Sequence, residues 1–357
     1  GNGVYYHISY WGRPHDYLWL GTAHPSLIYQ QMTLAYERGI QKMWILNVGD
    51  IKPSEYQIEL FLDMAWNLEA VKQQGVVAHQ RQFLEREFGL EVAAQLQPVM
   101  QEAYRLAYIR KPEFMGNTRT EEKDPKFKVI SDLPWSEQEI NERLAAYRQL
   151  SDKVEQEWHA LPAQKKETYF QLVKYPVQAA AQMNNKLLTA QLARHGKADW
   201  ADSDRAYDSI VSLTKTYNTT KWNRMMDFQP RRLLVFNRVE RKALSSGLLE
   251  KPQAVYTWNG ADCVEGASVI CEGLGYEGKA VAVEKKKELT FEFAAWETDS
   301  VEVEVRLLPN HPVEGERLRF TISLDGSATE AVSYETKGRS EEWKENVLCN
   351  QAVRRMI

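Results

Sequence analysis

The chain has 357 residues, with 45 Lys and Arg against 49 Asp and Glu and a formal charge of −4. Neutralising a phosphate backbone needs a basic excess, which argues against nucleic-acid binding by the chain as a whole, and 43% apolar with 26% charged residues excludes a disordered chain. No stretch approaches the ~18 apolar residues of a membrane span, and the length predicts about two or three domains.

Residues 4–8 form a β-prone run, followed by a loop rich in Gly, Pro and aromatics over residues 11–22. Ser26 is the expected N-cap of a helix whose turns are marked by Leu27, Gln31, Leu34 and Arg38 and which Gly39 ends. A second β run over residues 42–46 ends at Asn47-Val48-Gly49-Asp50. A second helix begins near Ser54, with Ile58, Phe61, Leu62, Ala65, Trp66 and Leu68 at spacings of three and four. This βαβα series predicts two parallel strands, which need further strands beside them. A (β/α)8 barrel takes about 250 residues, so residues 1–74 amount to its last units, the end of a larger α/β domain. Gly1-Asn2-Gly3 shows neither an initiator Met nor a signal sequence, so the chain reads as a piece and any targeting signal lies outside it.

Residues 75–237 are predicted as a helical bundle. Its apolar stripes are Val92, Leu96, Val99, Met100, Ala103, Leu106 and Ala107; Ile140, Leu144, Tyr147, Val154 and Trp158; and Ile210, Leu213 and Tyr217. Residues 111–128 read as a polar connector, and Pro176 should kink or restart its helix. After Pro230 the period becomes two: Val301, Val303, Val305 and Leu307, then Leu318, Phe320, Ile322 and Leu324, with a turn at Asp325-Gly326. With residues 253–258 and 289–294, these predict a β-sandwich over residues 238–357, its last strands lying beyond Ile357. The fold class is thus multidomain, α/β then α then β.

Active groups of parallel α/β domains gather at the carboxyl ends of the strands. His7 closes the first β run, and Asn47 to Asp50 follow the second, with Lys52 and Glu55 close behind. Carboxylates supply acid/base or orienting capacity, and an Asn amide both donates and accepts, a set that suits a polyol. Tyr5, Tyr6, Tyr10, Trp11, Tyr17 and Trp19 place six aromatics in the first 19 positions against a chain average of 11%, and flat rings with polar tips suit a sugar face. The competing expectation is that Tyr5 and Tyr6 belong to the strand core, as Trp44 and Trp66 should.

Other features point to less. His15 and His24 lack ligand spacing and are expected as solvated loop residues; His79, His159, His195 and His311 are expected to be packed or exposed. Cys263, Cys271 and Cys349 contain no C-x-x-C pair and read as packed or free thiols, with a single Cys263 to Cys271 bridge left open. Lys285-Lys286-Lys287 reads as a solvated turn. Gly273-x-Gly275-x-x-Gly278 mimics a dinucleotide fingerprint without its strand and helix context. Neither metal nor cofactor is expected.

Several strings taken together resemble the α-glucuronidases of glycoside hydrolase family 115. They are Val4-Tyr5-Tyr6-His7-Ile8-Ser9-Tyr10-Trp11-Gly12-Arg13-Pro14, Tyr17-Leu18-Trp19-Leu20, Gln31-Met32 with Ala35-Tyr36, and Phe61-Leu62-Asp63-Met64-Ala65-Trp66. The most specific is Trp44-Ile45-Leu46-Asn47-Val48-Gly49-Asp50-Ile51-Lys52-Pro53, and the likeness continues through Leu172-Val173-Lys174-Tyr175-Pro176-Val177 and Gly273-Leu274-Gly275-Tyr276-Glu277-Gly278. The resemblance implies the last two units of a TIM barrel, a helical bundle and most of a C-terminal β-sandwich. It further implies removal of glucuronic acid or its 4-O-methyl form from glucuronoxylan, or a related acidic oligosaccharide, by exo-acting, inverting cleavage of an α-1,2 bond. Inversion takes an acid and a base about 6.5 to 9.5 Å apart, and the resemblance places the general acid upstream of Gly1. His7, Tyr10 and Asn47 match active-site positions, the first two touching the sugar and Asn47 helping to place the water. Asp50 and Lys52 brace that motif, and Arg13 or Lys52 faces the uronate carboxylate. The partner implied is the N-terminal part of the same enzyme, without which this chain is expected to be inactive; a homodimer stays open, and the family likeness suggests a secreted or periplasmic protein. The alternative reading is a non-catalytic carbohydrate-binding or scaffold module.

Overall fold

The computed structural model describes residues 2–9, 19–49, 51–116, 130–133 and 135–241, and, further on, 258–266, 269–272, 274, 278–283, 286–292, 302–307, 317–324, 327–328, 331–335 and 351–356. The chain divides into two compact units, Gly1–Thr257 and Trp258–Ile357. No helix among the described residues is long and apolar enough to cross a membrane.

The first unit opens with strand β1 (Gly3–His7), helix α1 (Pro25–Glu37), strand β2 (Met43–Asn47) and helix α2 (Glu55–Gln74). The two strands are parallel and in register from Gly3 opposite Met43 to His7 opposite Asn47. Because side chains alternate along a strand, even-numbered residues share one face and odd-numbered residues the other. Val4, Tyr6, Trp44 and Leu46 pack against the helices. Tyr6 stacks on Phe61 at 6.1 Å, Trp44 tilts against the same ring at 5.7 Å, and burial pushes the Tyr6 hydroxyl pKa up. The opposite face is open: Tyr5 is 57%, Met43 58% and Ile45 45% exposed.

Corrections fall at two places here, the start of α1 and the stripe of α2. The N-cap of α1 is His24, not Ser26: Pro25 takes the first helical position, where its preset φ and missing N–H cost nothing. The preceding residue therefore caps, its Nδ1 accepting from the Ser26 N–H at 3.1 Å. His24 is thus a buried cap packed beside Tyr104 and Tyr108, not a solvated loop residue. Trp66 is the second correction, since it is 91% exposed. The buried stripe of α2 is Gln57, Leu60, Phe61, Met64, Leu68 and Val71, and five residues beyond Phe61 is about 140° around the helix, on the far side.

The rest of the unit is helical: α3 (Val76–Phe88), α4 (Leu90–Ile109), α5 (Glu137–Ala160), α6 (Ala163–Tyr169), α7 (Tyr175–Arg194) and α8 (Trp200–Asn218). Gly75 and Gly89, at φ 79° and 92°, separate α2, α3 and α4. Ser136 and Glu139 form a capping box that starts α5. Pro176 lies in the first turn of α7, where the helical backbone passes out of a π turn over Phe170–Lys174, so the backbone bond it lacks falls at the junction of the two. Residues 111–116 are not a solvated connector: a buried 3-10 turn over Pro112–Phe114 carries Lys111 and Glu113 inside; residues 117–129 lie outside the described set. One apolar core runs without interruption from Ile8 and Trp19 to Val239.

The second unit contains antiparallel pairs: β3 (Val269–Glu272) with β4 (Lys279–Ala282), β5 (Glu302–Leu307) with β10 (Gln351–Met356), β6 (Arg317–Phe320) with β9 (Val332–Glu335), and β7 (Ser323–Leu324) with β8 (Ser327–Ala328). The strand expected over residues 318–324 is interrupted at Thr321 and Ile322. Within residues 289–294, the described part makes only an isolated bridge from Thr290 to Glu265. Trp258 is outside any strand; residues 253–257, 293–294 and the Asp325-Gly326 turn lie outside the described residues. Cys263 is a free thiol; Cys349 and the side chain of Cys271 are outside that set.

Candidate functional site

The parallel register brings His7 and Asn47 side by side at the carboxyl edge, on the open, odd-numbered face. Neighbouring strands lie about 4.8 Å apart, so both groups can reach one ligand. The Asn47 amide is oriented at both ends. Its Oδ1 accepts from the Gly49 N–H at 3.1 Å, and its Nδ2 donates to the Tyr5 hydroxyl at 2.6 Å. Gly49 sits at φ 59°, the left-handed conformation this Asx turn requires. One amide hydrogen, the second lone pair of Oδ1 and the Tyr5 hydroxyl proton are left for a water or a sugar hydroxyl. Burial lowers the pKa of His7, favouring the neutral imidazole, which offers one donor and one acceptor. Its ring stands edge-on to Tyr5 at 4.7 Å and 85°.

Tyr5 is therefore the residue that sequence reasoning placed least well. Its exposed ring orients both neighbours, a role that needs the register of the two strands to be known. Tyr6 and Trp19 are core residues, Trp19 packing edge-on to Phe236 at 5.0 Å and donating to the Tyr175 hydroxyl at 3.3 Å. Tyr10, Trp11, Arg13, Tyr17 and Asp50 lie outside the described residues, as do His15 and His311.

Lys52 is engaged inward. Its ammonium pairs with the Glu55 carboxylate and lies 4.2 Å from the centroid of the Trp222 ring. Pro53, joined to Lys52 by a cis peptide bond, sets its carbonyl against Gly21. A Cβ on Gly21 would lie 2.5 Å from that oxygen. We expect Gly21→Ala to destabilise the fold by about 1 to 3 kcal/mol through overpacking. A thermal unfolding midpoint unchanged from the wild type would count against this close approach.

The segment beside Gly21 is held from the helices. Lys111 Nζ donates to the Thr22 carbonyl at 2.6 Å, and the Gln57 amide donates to the Gly21 carbonyl and, at 3.1 Å, to the Tyr104 hydroxyl. Among the remaining histidines, His79 lies between Tyr56 and Asp63, and His195 contacts Asp132 at 3.0 Å, both within packed helical surfaces; His159 is exposed. Among the described residues no cluster of three His, Cys, Asp or Glu could hold a metal ion.

An oriented amide, a neutral imidazole and a tyrosine hydroxyl on the carboxyl edge of parallel strands define the kind of polar ledge found in α/β enzymes. The comparisons with known proteins make this specific. A profile described as Glycosyl hydrolase family 115 matches residues 1–114, and one described as Glycosyl hydrolase family 115 C-terminal domain matches residues 267–356. A solved structure described as a novel family GH115 4-O-methyl-alpha-glucuronidase, with specificity for decorated arabinogalactans, is 64% identical and superposes with a TM-score of 0.94. The match covers 100% of this chain and 48% of that one, so the chain spans about half the length of that enzyme. No curated protein sequence matches. The chain belongs to glycosyl hydrolase family 115.

Proposed function

We propose that this chain supplies one wall of the sugar site of an α-glucuronidase that removes glucuronic acid or its 4-O-methyl form from glycan side chains. The observation that carries the reading is the pairing of His7 with the doubly anchored Asn47 on the open face, in a chain of this family. In this reading residues 1–74 are the last two βα units of a TIM barrel, residues 75–237 a helical bundle and residues 238–357 a β-sandwich. Support for the barrel comes from the strands themselves: parallel sheets are covered on both faces, yet Tyr5, Met43 and Ile45 leave one face uncovered.

His7 and Tyr10 touch the uronic acid, and Asn47 helps to hold the attacking water on the face opposite the leaving group. Inversion takes a carboxylic acid and a base on either side of the bond, and both belong to the part of the enzyme upstream of Gly1. Arg13 and Lys52 are the two cations that could face the uronate. Since Lys52 is committed to Glu55 and Trp222, Arg13 takes the carboxylate and Lys52, with Asp50, braces the motif. The bond is α-1,2, and the glycan is glucuronoxylan; the solved relative, with its specificity for decorated arabinogalactans, makes arabinogalactan the second substrate to test.

The full-length enzyme should release 4-O-methylglucuronic acid from aldouronic oligosaccharides or from arabinogalactan, with the β-anomer appearing first by proton NMR. This polypeptide by itself should release none. A first-formed α-anomer would contradict inversion, and release by this polypeptide alone would contradict the division of the site.

A further inference from the structure

We propose that Trp222 is a positioning residue of this site, acting through Lys52 on the loop that carries Gly49 and fixes Asn47. The inference rests on the α-glucuronidase reading only in its activity arm. Trp222 lies beyond α8, 170 positions from Lys52 in the chain, yet its ring receives the Lys52 ammonium at 4.2 Å. Glu55 grips the same ammonium, and the Lys52 and Glu55 side chains are only 10% and 20% exposed. A lysine on its flexible stem ordinarily keeps its freedom in water; two simultaneous anchors in a shielded place fix both the side chain and the backbone that bears it.

The anchor is itself held. The Trp222 backbone N–H donates to Thr220 Oγ1 at 3.3 Å, and that oxygen also accepts from the Gln171 amide at 3.3 Å, in the π turn before α7. Glu55 faces the same part of the bundle: Tyr217 is fully buried, and burial together with the nearby Glu55 charge raises its pKa. On the far side the loop rests against Gly21 through the Pro53 carbonyl. The loop is thus pinned at Lys52 and Pro53, three residues from the Gly49 N–H that orients Asn47 Oδ1. The helical unit therefore sets the geometry of the ledge as well as supporting it.

The test uses the full-length enzyme with Trp222→Leu, which removes the aromatic face, and Trp222→Phe, which restores one. Amide hydrogen exchange over residues 48–51 should quicken in Trp222→Leu and return towards the wild-type rate in Trp222→Phe. Misplacing Asn47 should lower kcat by about 5- to 30-fold, a part of the about 100- to 1000-fold that removing a preorganised hydrogen-bonding group costs. KM should stay within about threefold, and Trp222→Phe should recover most of the loss. Lys52→Met should reproduce Trp222→Leu and decides the matter if the latter does not fold. Unchanged exchange in Trp222→Leu would overturn the proposal, as would a Trp222→Phe enzyme no better than Trp222→Leu. If the wild-type enzyme has no glucuronidase activity, the functional reading fails while the exchange measurement still judges the role of Trp222.

Discussion

Replacing Asn47 by Ala in the full-length enzyme should lower kcat by about 100- to 1000-fold, the loss typical of removing one preorganised hydrogen-bonding group from a reacting centre. The structural consequences should be small by comparison. The side chain makes two hydrogen bonds, to Tyr5 and Gly49, at about 1 kcal/mol each, so the unfolding midpoint should drop by only a few degrees. His7→Ala should likewise cut turnover severely and leave the fold intact, because its ring meets Tyr5 on the open face and takes no part in the apolar core. Tyr5→Phe separates the two contributions: it keeps the edge-on contact with His7 and removes the hydroxyl that accepts from Asn47. Near-normal turnover in Asn47→Ala and His7→Ala would remove these residues from the site.

The second large effect concerns pH and is independent of substrate. His24 is fully enclosed, and burial, reinforced by the Lys111 charge, pushes its pKa down to about 3. The native state needs the neutral ring, since Nδ1 accepts from the Ser26 N–H at the start of α1. The unfolded chain protonates at about 6.5. Between these values the unfolded state binds the extra proton. Stability from this group is therefore complete above about pH 6.5, is lost as the pH falls towards 3, and changes no further below that. The slope is about tenfold in the folding constant per pH unit, on the order of 5 kcal/mol across the whole window. His24→Asn keeps a capping acceptor and removes the titration. Its packing loss against Tyr104 and Tyr108 should appear equally at pH 7 and pH 4.5, whereas the wild type should lose about 3 kcal/mol more than the variant between those two pH values. Equal acid sensitivity of the two proteins in urea unfolding would contradict this assignment.

How much of this was legible beforehand depended on range. The alternation that made β1 and β2, and the stripes of α4, α5 and α8, are local signals, and the structure places helices and strands on those segments. The carboxyl-edge positions of His7 and Asn47 followed from the βαβ order, since parallel strands end on the same side. What escaped were effects of competition and of distance. Ser26 is the commoner capping residue, but Pro25 moved the cap back to His24. Trp66 shares the apolar character of the α2 stripe but not its angle, and α2 departs from helical geometry at the next residue, Asn67. Lys111 carries a charge that hydropathy assigns to solvent, yet it donates to the Thr22 carbonyl from inside the protein. The clamp of Trp222 on Lys52 joins parts of the chain that no short-range spacing connects.

The position of the bound sugar decides the role of His7 and Asn47. In a crystal structure of the full-length enzyme with glucuronic acid bound, hydroxyls of the pyranose ring should lie within hydrogen-bond reach, about 2.6 to 3.2 Å, of His7, with the Asn47 amide within one water of the anomeric carbon. A uronic acid seated elsewhere, with His7 and Asn47 covered by packed apolar side chains of the completed domain, would contradict it.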